Sequence, residues 1–475
     1  METNTKPLKA LLLGIQLPRV SDAEMQGSLS ELGRLVHTLG HEVVGTLTQR
    51  RSGTGSALVF GEGKLREIAQ WTGGPGIVAS PVIKKKSKAA ERFGQSEEPE
   101  DDDPEDSDPM DVEAEEEVEA ATEVLENAPP EGVNASVVVV DSELSPSQLR
   151  NLESALGVDV LDRTGVIIEI FSRHARTKAA RLQVEIARLN YLAPRIRETG
   201  GASERSGGGV GGKGSGESSQ ELDRRHIRDR IKELKMELES VQDEGAHRRN
   251  RRSEENSVAL VGYTNAGKSS LMRAMTGSEV LVADKLFATL DTTVRPLHPS
   301  SVPKLLLSDT VGFIKKLPHD LVASFRSTLE EALNAGLLLY VVDSSDPTFR
   351  DQLKVTRDVL GEIGATDSPS LMILNKRDRL SEIETEKLRT EFPEAILLST
   401  RDVGDLKSLR ETLLAFFEKD MSEEQLLVPY SVQGAIGEIR RQMRVIDEAY
   451  GAEGVTLRVR ARKEDLARLR GRFKL

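Results

Sequence analysis

Eight consecutive residues, Gly262, Tyr263, Thr264, Asn265, Ala266, Gly267, Lys268 and Ser269, form the run G-x-x-x-x-G-K-S. An apolar strand, Val258–Val261, precedes it, and a helix over Ser270–Met275 is predicted to follow. That context makes the run a phosphate-binding loop. Its glycines let the backbone fold back so that N–H groups converge on phosphate oxygens, and the helix N-terminus adds favourable partial charge. Lys268 can reach β- and γ-phosphates, and the Ser269 hydroxyl can ligate Mg²⁺.

Forty residues beyond Ser269 stand Asp309, Thr310, Val311 and Gly312, at the end of an apolar strand over Lys304–Ser308. A carboxylate there lies beside the metal and can hold it through a water. The Gly312 N–H can sense a γ-phosphate and order its loop only in the triphosphate state. After strand Ser370–Leu374 come Asn375, Lys376, Arg377 and Asp378. The Asp378 carboxylate can accept two hydrogen bonds from guanine N1–H and the 2-amino group. Adenine lacks that donor pair and would leave a buried charge unpaired, so GTP is expected over ATP. Two weaker segments complete the set. Phe287, Ala288, Thr289, Leu290 and Asp291 lie where a threonine can bind Mg²⁺, and Ser399, Thr400 and Arg401 follow strand Ala395–Leu398 and can brace the base. The catalytic set is read as Lys268, Thr289 and Gly312. Phe313 occupies a position where many GTPases place a water-orienting glutamine. Slow intrinsic hydrolysis with outside assistance is expected.

The elements that must carry these residues alternate in type. Leu8–Leu17 and Glu42–Gln49 read as strands, Ser21–Leu39 and Gly63–Trp71 as helices. The pattern resumes with strand Ala135–Asp141, helix Ser145–Leu156 and strand Asp159–Asp162, which implies a parallel sheet with crossover helices. Residues 173–197 read as one basic helix, with seven Arg/Lys against one Glu. Beyond a Gly/Ser-rich loop over Gly200–Ser219, Ile227, Ile231, Leu234, Leu238 and Val241 form a heptad seam. The two helices are expected to pair antiparallel. The second α/β domain runs to about Lys419. Strand Gln425–Val428, helix Val432–Tyr450, strand Gly454–Arg460 and a helix from Glu464 close the chain.

Composition sets outer bounds. The 475 residues exceed one compact core and contain no cysteine, which excludes disulfides, cysteine-ligated zinc and thiol catalysis. No apolar run is long enough to cross a bilayer, and a cytoplasmic protein is expected. The net charge of −13 is concentrated: Glu97–Glu126 holds 17 Asp and Glu and no Lys or Arg. Removing those 17 negative charges from −13 leaves +4, so the remainder is mildly basic and suits a nucleic-acid partner.

Taken together the chain resembles the HflX family of ribosome-associated GTPases, over nearly its whole length apart from the acidic insertion. The resemblance rests on Asp141–Glu153, on Asp162, Arg163, Thr164 and Gly165, on the Gly-rich loop leading to Asp223–Arg225, on Phe287–Asp291, and on Asp309–Ile314 followed by Leu317–Leu321. It implies an α/β architecture: an N-terminal α/β nucleotide-binding-like domain (1–172, interrupted by a disordered acidic insertion over about 84–132), a basic helical hairpin (173–252), a Ras-like P-loop GTPase domain (253–420) and a small C-terminal α+β unit (421–475). It also implies GTP and GDP as ligands, Mg²⁺ held by Ser269 and Thr289, and association with the large ribosomal subunit and its rRNA, some members splitting stalled or idle ribosomes under stress. A monomer with no integral membrane segment is expected. Asn265 resembles the asparagine of GTPases that recruit K⁺. Two departures stand out: Lys213–Glu221 replaces the family's Arg-Gly-Pro-Gly-Glu-Thr-Gln-Leu-Glu, and Thr400 replaces alanine. Two rival readings remain open, a GTP-gated binding module with little turnover and an ATP-driven RNA remodeller, the latter opposed by Asn375–Asp378.

Overall fold

The structure, a computed structural model, describes residues 7–78, 134–196, 219–252, 256–277, 286–287, 292–302, 304–316, 334–365, 368–419, 421–432 and 434–473. The acidic insertion, most of the Gly-rich loop, Ala288–Asp291 with Thr289, and Leu317–Leu321 lie outside the described residues. Packing divides the chain into two compact units. One comprises Met1–Met25 and His41–Asp162, the other Gln26–Gly40 and Arg163–Leu475.

The first unit holds β1 (Lys9–Gln16), β2 (Glu42–Arg50), β3 (Val137–Val140) and β4 (Asp159–Asp162) in a parallel sheet of order β2-β1-β3-β4. The inner strands are continuous apolar runs because both faces are covered, and all four valines of β3 are buried. Helix α1 (Asp22–Thr38) spans the division between units, and α2 (Glu62–Thr72) and α3 (Pro146–Leu156) belong to the first. Ser145 caps α3 reciprocally with Gln148, and Pro146 fits the first turn because its missing N–H would have had no helical partner.

In the second unit the chain continues through α4 (Arg163–His174) and α5 (Lys178–Leu192). The single helix expected over 173–197 is therefore corrected. The Thr177 hydroxyl accepts from Ala180 N at 3.2 Å and starts a new helix, while Val166, Ile167, Ile170 and Phe171 bury α4 before it. Helix α6 (Ser219–Arg252) lays Leu234, Ile231, Leu238 and Val241 against Leu182, Ile186 and Leu189 of α5. The seam's spacing of three and four residues puts those side chains on one stripe.

The site is carried by a six-stranded sheet of order β10-β9-β8-β5-β7-β6: β5 (Asn256–Val261), β6 (Thr293–Pro296), β7 (Leu305–Asp309), β8 (Leu337–Asp343), β9 (Ser370–Asn375) and β10 (Ile396–Leu397). All run parallel except β6, which pairs antiparallel with β7. Helices α7 (Lys268–Thr276), α8 (Phe349–Glu362), α9 (Glu382–Glu391) and α10 (Val403–Glu418) accompany it. The chain leaves β5 towards β6 and β7 on one side and leaves the neighbouring β8 towards β9 on the other, so these connections diverge and open a crevice at the carboxyl ends.

The C-terminal part is a three-stranded antiparallel sheet, β11 (Ser422–Pro429), β13 (Gly454–Ala461) and β12 (Arg444–Tyr450), with α11 (Ala435–Gln442) and α12 (Lys463–Phe473). Val455, Leu457 and Val459 face the core, as their alternation predicts. The helix expected over Val432–Tyr450 ends at Gln442. Met443 turns extended and Arg444–Tyr450 joins the ladder of β13, whose inter-strand hydrogen bonds override the helical spacing of Ile436, Ile439 and Met443.

Candidate functional site

Four of the motifs leave the carboxyl ends of parallel strands. The loop Gly262–Gly267 joins β5 to α7, Asp309 ends β7, Asn375 ends β9, and Ser399 follows β10. A hydrogen-bonded bridge welds the first loop to the second: Thr264 N donates to Phe313 O at 2.8 Å, and Phe313 N donates to Gly262 O at 3.1 Å. Asn265 takes a left-handed conformation, φ 61°, which asparagine tolerates better than most residues. Gly267 has φ 98°, and a Cβ there would lie 2.3 Å from Asn375 Nδ2, so both backbone and space demand glycine.

Lys268 is 6% exposed, with Nζ donating to Gly262 O at 3.0 Å and Tyr263 O at 2.8 Å. Burial lowers its pKa to about 8, opposed by the nearby Asp309 carboxylate. The lysine is thus curled over the loop, desolvated, and ready to gain from a polyanion. Ser269 Oγ donates to Asp309 Oδ2 at 2.7 Å, and Asp309 is fully buried. Hydroxyl and carboxylate oxygens at that separation are the hard donors that Mg²⁺ prefers, and the residues present fit that ion. Among the described residues no group of three or more His, Asp or Glu could hold a metal ion. Thr310 Oγ1 donates to Leu260 O at 2.7 Å and Val311 is buried, which fixes the strand end. A Cβ on Gly312 would come within 3.0 Å of Lys268 Nζ and 2.9 Å of Thr264 Cγ2, so only glycine lets this backbone approach the loop. Phe313, 1% exposed, packs with Val261, Leu338 and Leu360. It is a core anchor with no polar group to offer.

At the base end, Asn375 Nδ2 donates to Ala266 O at 2.9 Å and ties this motif to the phosphate loop. Lys376, with φ 65°, spans Asn265 O at 2.8 Å and Asp343 Oδ2 at 2.6 Å. Arg377 pairs with Asp405 at 3.0 Å and Asp402 at 3.6 Å. Ser399 Oγ donates to Asp378 Oδ1 at 2.7 Å, and this hydrogen bond holds the Asp378 carboxyl below the usual carboxylate range. Arg401 lies 3.5 Å from Asp378 Oδ2, and its N–H donates to Ser399 Oγ at 3.3 Å. Thr400 sits between them, partly exposed. Asp378 stays ionised and acceptor-only, the state that two donors on a base edge require.

The structure thus brings together the phosphate loop, Asp309–Gly312, Asn375–Asp378 and Ser399–Arg401. Phe287 is placed apart, at φ 58°, with its ring edge-on to Phe171 at a centroid distance of 4.6 Å. Asp343 was missed in the sequence although it ends an apolar strand, Leu337–Asp343, at the same sheet edge. Glu31 was missed too. Its carboxylate accepts from the Tyr263 hydroxyl across 232 positions, a separation no local pattern announces.

The chain is similar to several known proteins. The family described as "50S ribosome-binding GTPase" matches residues 257–376, "GTP-binding GTPase Middle Region" matches 174–252, and "GTP-binding GTPase N-terminal" matches 26–80 and 114–172. A relative named GTPase HflX from Gluconacetobacter diazotrophicus is 56% identical over 475 residues, 99% of each chain. Relatives of that name from Caldanaerobacter subterraneus subsp. tengcongensis and Escherichia coli are 36% and 40% identical, covering 97% and 70% of this chain and 93% and 80% of theirs. A crystal structure of a GTP-binding protein from Sulfolobus solfataricus with GDP aligns at 23% identity and a TM-score of 0.41, over 86% of this chain and 99% of that one. The chain belongs to the HflX family of P-loop GTPases, enzymes that bind and hydrolyse GTP.

Proposed function

We propose that this GTPase docks on the large ribosomal subunit in its GTP state and changes state on hydrolysis, with turnover completed by the partner. The observation that carries the reading is Phe313, buried in the core where a water-orienting side chain would otherwise stand. The likeness of residues 257–376 to ribosome-binding GTPases and the basic residues of the helical segment support the choice of partner. Ten Arg and Lys against six Asp and Glu lie between Arg224 and Arg252, which suits a phosphate backbone.

In this reading Lys268 shifts from loop carbonyls onto the β- and γ-phosphate oxygens. Gly312 N–H contacts the γ-phosphate, and Asp378 accepts from guanine N1–H and the 2-amino group. Water attacks the γ-phosphorus, the bond to the β–γ bridging oxygen breaks, and GDP and inorganic phosphate leave. Ser269 and Thr289 would hold Mg²⁺ beside Asp309, and the ion, when bound, supplies charge neutralisation at the phosphates. Asn265 is assigned to a K⁺ contact. Residues 1–172, 173–252, 253–420 and 421–475 are assigned as successive domains, the first two meeting rRNA and the third acting as timer. Splitting or rescue of ribosomes under stress is the outcome assigned to that timer, in the cytoplasm and as a monomer.

A second reading, a GTP-occupancy switch with little turnover, is favoured by the same Phe313. Co-sedimentation with large ribosomal subunits tests the partner shared by both. A non-hydrolysable GTP analogue should carry the protein into the subunit pellet and GDP should not. Equal recovery with both nucleotides, or none with either, would contradict the proposal.

A further inference from the structure

The loop between β5 and α7 carries a tyrosine whose side chain is buried and reaches α1. Tyr263 is 5% exposed, and its hydroxyl donates to Glu31 Oε1 at 2.5 Å. The other oxygen of that carboxylate, Oε2, accepts from Arg163 Nη2. Glu31 lies on α1 and Arg163 begins α4, and both side chains are buried. The same tyrosine oxygen accepts from Lys315 N at 2.7 Å. Lys315 is three residues beyond Gly312, and Phe313 between them is bonded to the phosphate loop through both its N–H and its carbonyl. One hydroxyl therefore joins the loop that follows Asp309–Gly312 to two helices distant in sequence.

The residues that lead into Ala288–Asp291 meet the same two helices. Leu286 N donates to Thr38 Oγ1 on α1 at 3.3 Å, and the Phe287 ring meets Phe171 of α4. The Asp309–Lys316 loop and the residues just before Ala288 thus meet the same two helices. A buried polar network of this kind has few arrangements that satisfy all its members, so it favours discrete states over gradual deformation. Burial, reinforced by the Glu31 charge, pushes the Tyr263 phenol well above its ordinary pKa, so it remains a donor to Glu31 at all working pH.

We propose that Tyr263 is a positioning residue that couples the Asp309–Lys316 loop to α1 and α4 through Glu31 and Arg163, so that the nucleotide state is read out at these helices. Coupling is reciprocal, and a partner that moves α1 or α4 would alter nucleotide preference by the same factor. The inference rests on the reading of Gly312 as the γ-phosphate sensor.

The test is backbone hydrogen exchange of the full chain, saturated with GDP or with a non-hydrolysable GTP analogue. The wild type should show at least about a fivefold difference in exchange between the two states, in Asp309–Lys316 and also in α1 and α4. Tyr263→Phe, which removes one oxygen and keeps the ring, should reduce the difference in the helices to less than about twofold while the 309–316 difference persists. Glu31→Gln, which keeps one acceptor for the tyrosine but turns an amide N–H towards Arg163, should retain the difference in α1 and lose it in α4. A purely packing role for Tyr263 would change protection equally in both states and leave the difference between them intact. Helices in Tyr263→Phe that still distinguish the nucleotides would overturn the inference, as would wild-type helices that never do. Loss of the 309–316 difference in the wild type would instead remove the sensor reading beneath it.

Discussion

The two ends of the nucleotide site are built from different materials. At the proposed phosphate end stand a lysine 6% exposed and a fully buried Asp309, with Gly267 and Gly312 at positions where a Cβ would crowd its neighbours. At the base end stand side chains near the surface: Asp378 is 34% exposed and Arg401 78%, steadied by the Ser399 hydroxyl. A desolvated, pre-organised end gives large energies and tolerates no change. An open end assembled from side chains gives discrimination between bases at smaller cost per group. The phosphate end should therefore decide whether nucleotide is bound and turned over, and the base end which nucleotide it is.

The sharpest attempt to break this contrast is Lys268→Ala. It should lower kcat/KM for GTP by about a thousandfold, since it removes the buried cationic side chain proposed to meet developing phosphate charge. A loss no larger than that of a base-end variant, measured by single-turnover hydrolysis, would dissolve the distinction. Asp378→Asn comes next. Its affinity for GTP should fall about 100-fold, and the preference for GTP over inosine triphosphate, which lacks the 2-amino group, should shrink towards one in competition binding.

The buried lysine also makes a pH signature. Its pKa of about 8 in the free protein, against an ordinary 10.5, means that the folded chain releases the proton first as pH rises. Below about pH 8 folded and unfolded forms are both protonated and the cost of the buried charge is fully present. From there up to 10.5 the unfolded form holds the extra proton, so this group's contribution to stability rises with pH. Phosphates favour the charged form, so nucleotide affinity should be flat below about pH 8 and fall by up to about tenfold per unit above it, with proton uptake visible by calorimetry in buffers of different ionisation enthalpy. A flat profile to pH 9.5 would show that Lys268 is not the group being desolvated. The smallest effect belongs to Arg401→Ala. An exposed pair is worth little, so GTP affinity should change by less than about threefold in titration calorimetry.

How much of this was legible in the sequence follows the same division. That Gly262–Ser269, Asp309–Gly312 and Asn375–Asp378 meet at one sheet edge was legible because close backbone approach restricts residue type at fixed spacing. The parallel strands were legible as apolar runs. Regions where tertiary pairing decides were not. Arg444–Tyr450 carries helical spacing and yet joins β13, and the helix over Arg163–His174 was hidden behind a run of β-branched residues that its burial rewards. Nor could Tyr263 have been matched to Glu31 and Arg163, since a buried network between distant segments leaves no periodic mark. Thr289 lies outside the described residues, and its part in the site stands as proposed.

The central claim is that Phe313 leaves the site without its own means of orienting water. It is tested most directly by GTP hydrolysis of the purified protein in Mg²⁺ and K⁺ buffer, with and without large ribosomal subunits. Slow turnover alone and strong stimulation by subunits are the expected result. Fast turnover alone, or rates unchanged by subunits that the protein demonstrably binds, would contradict it.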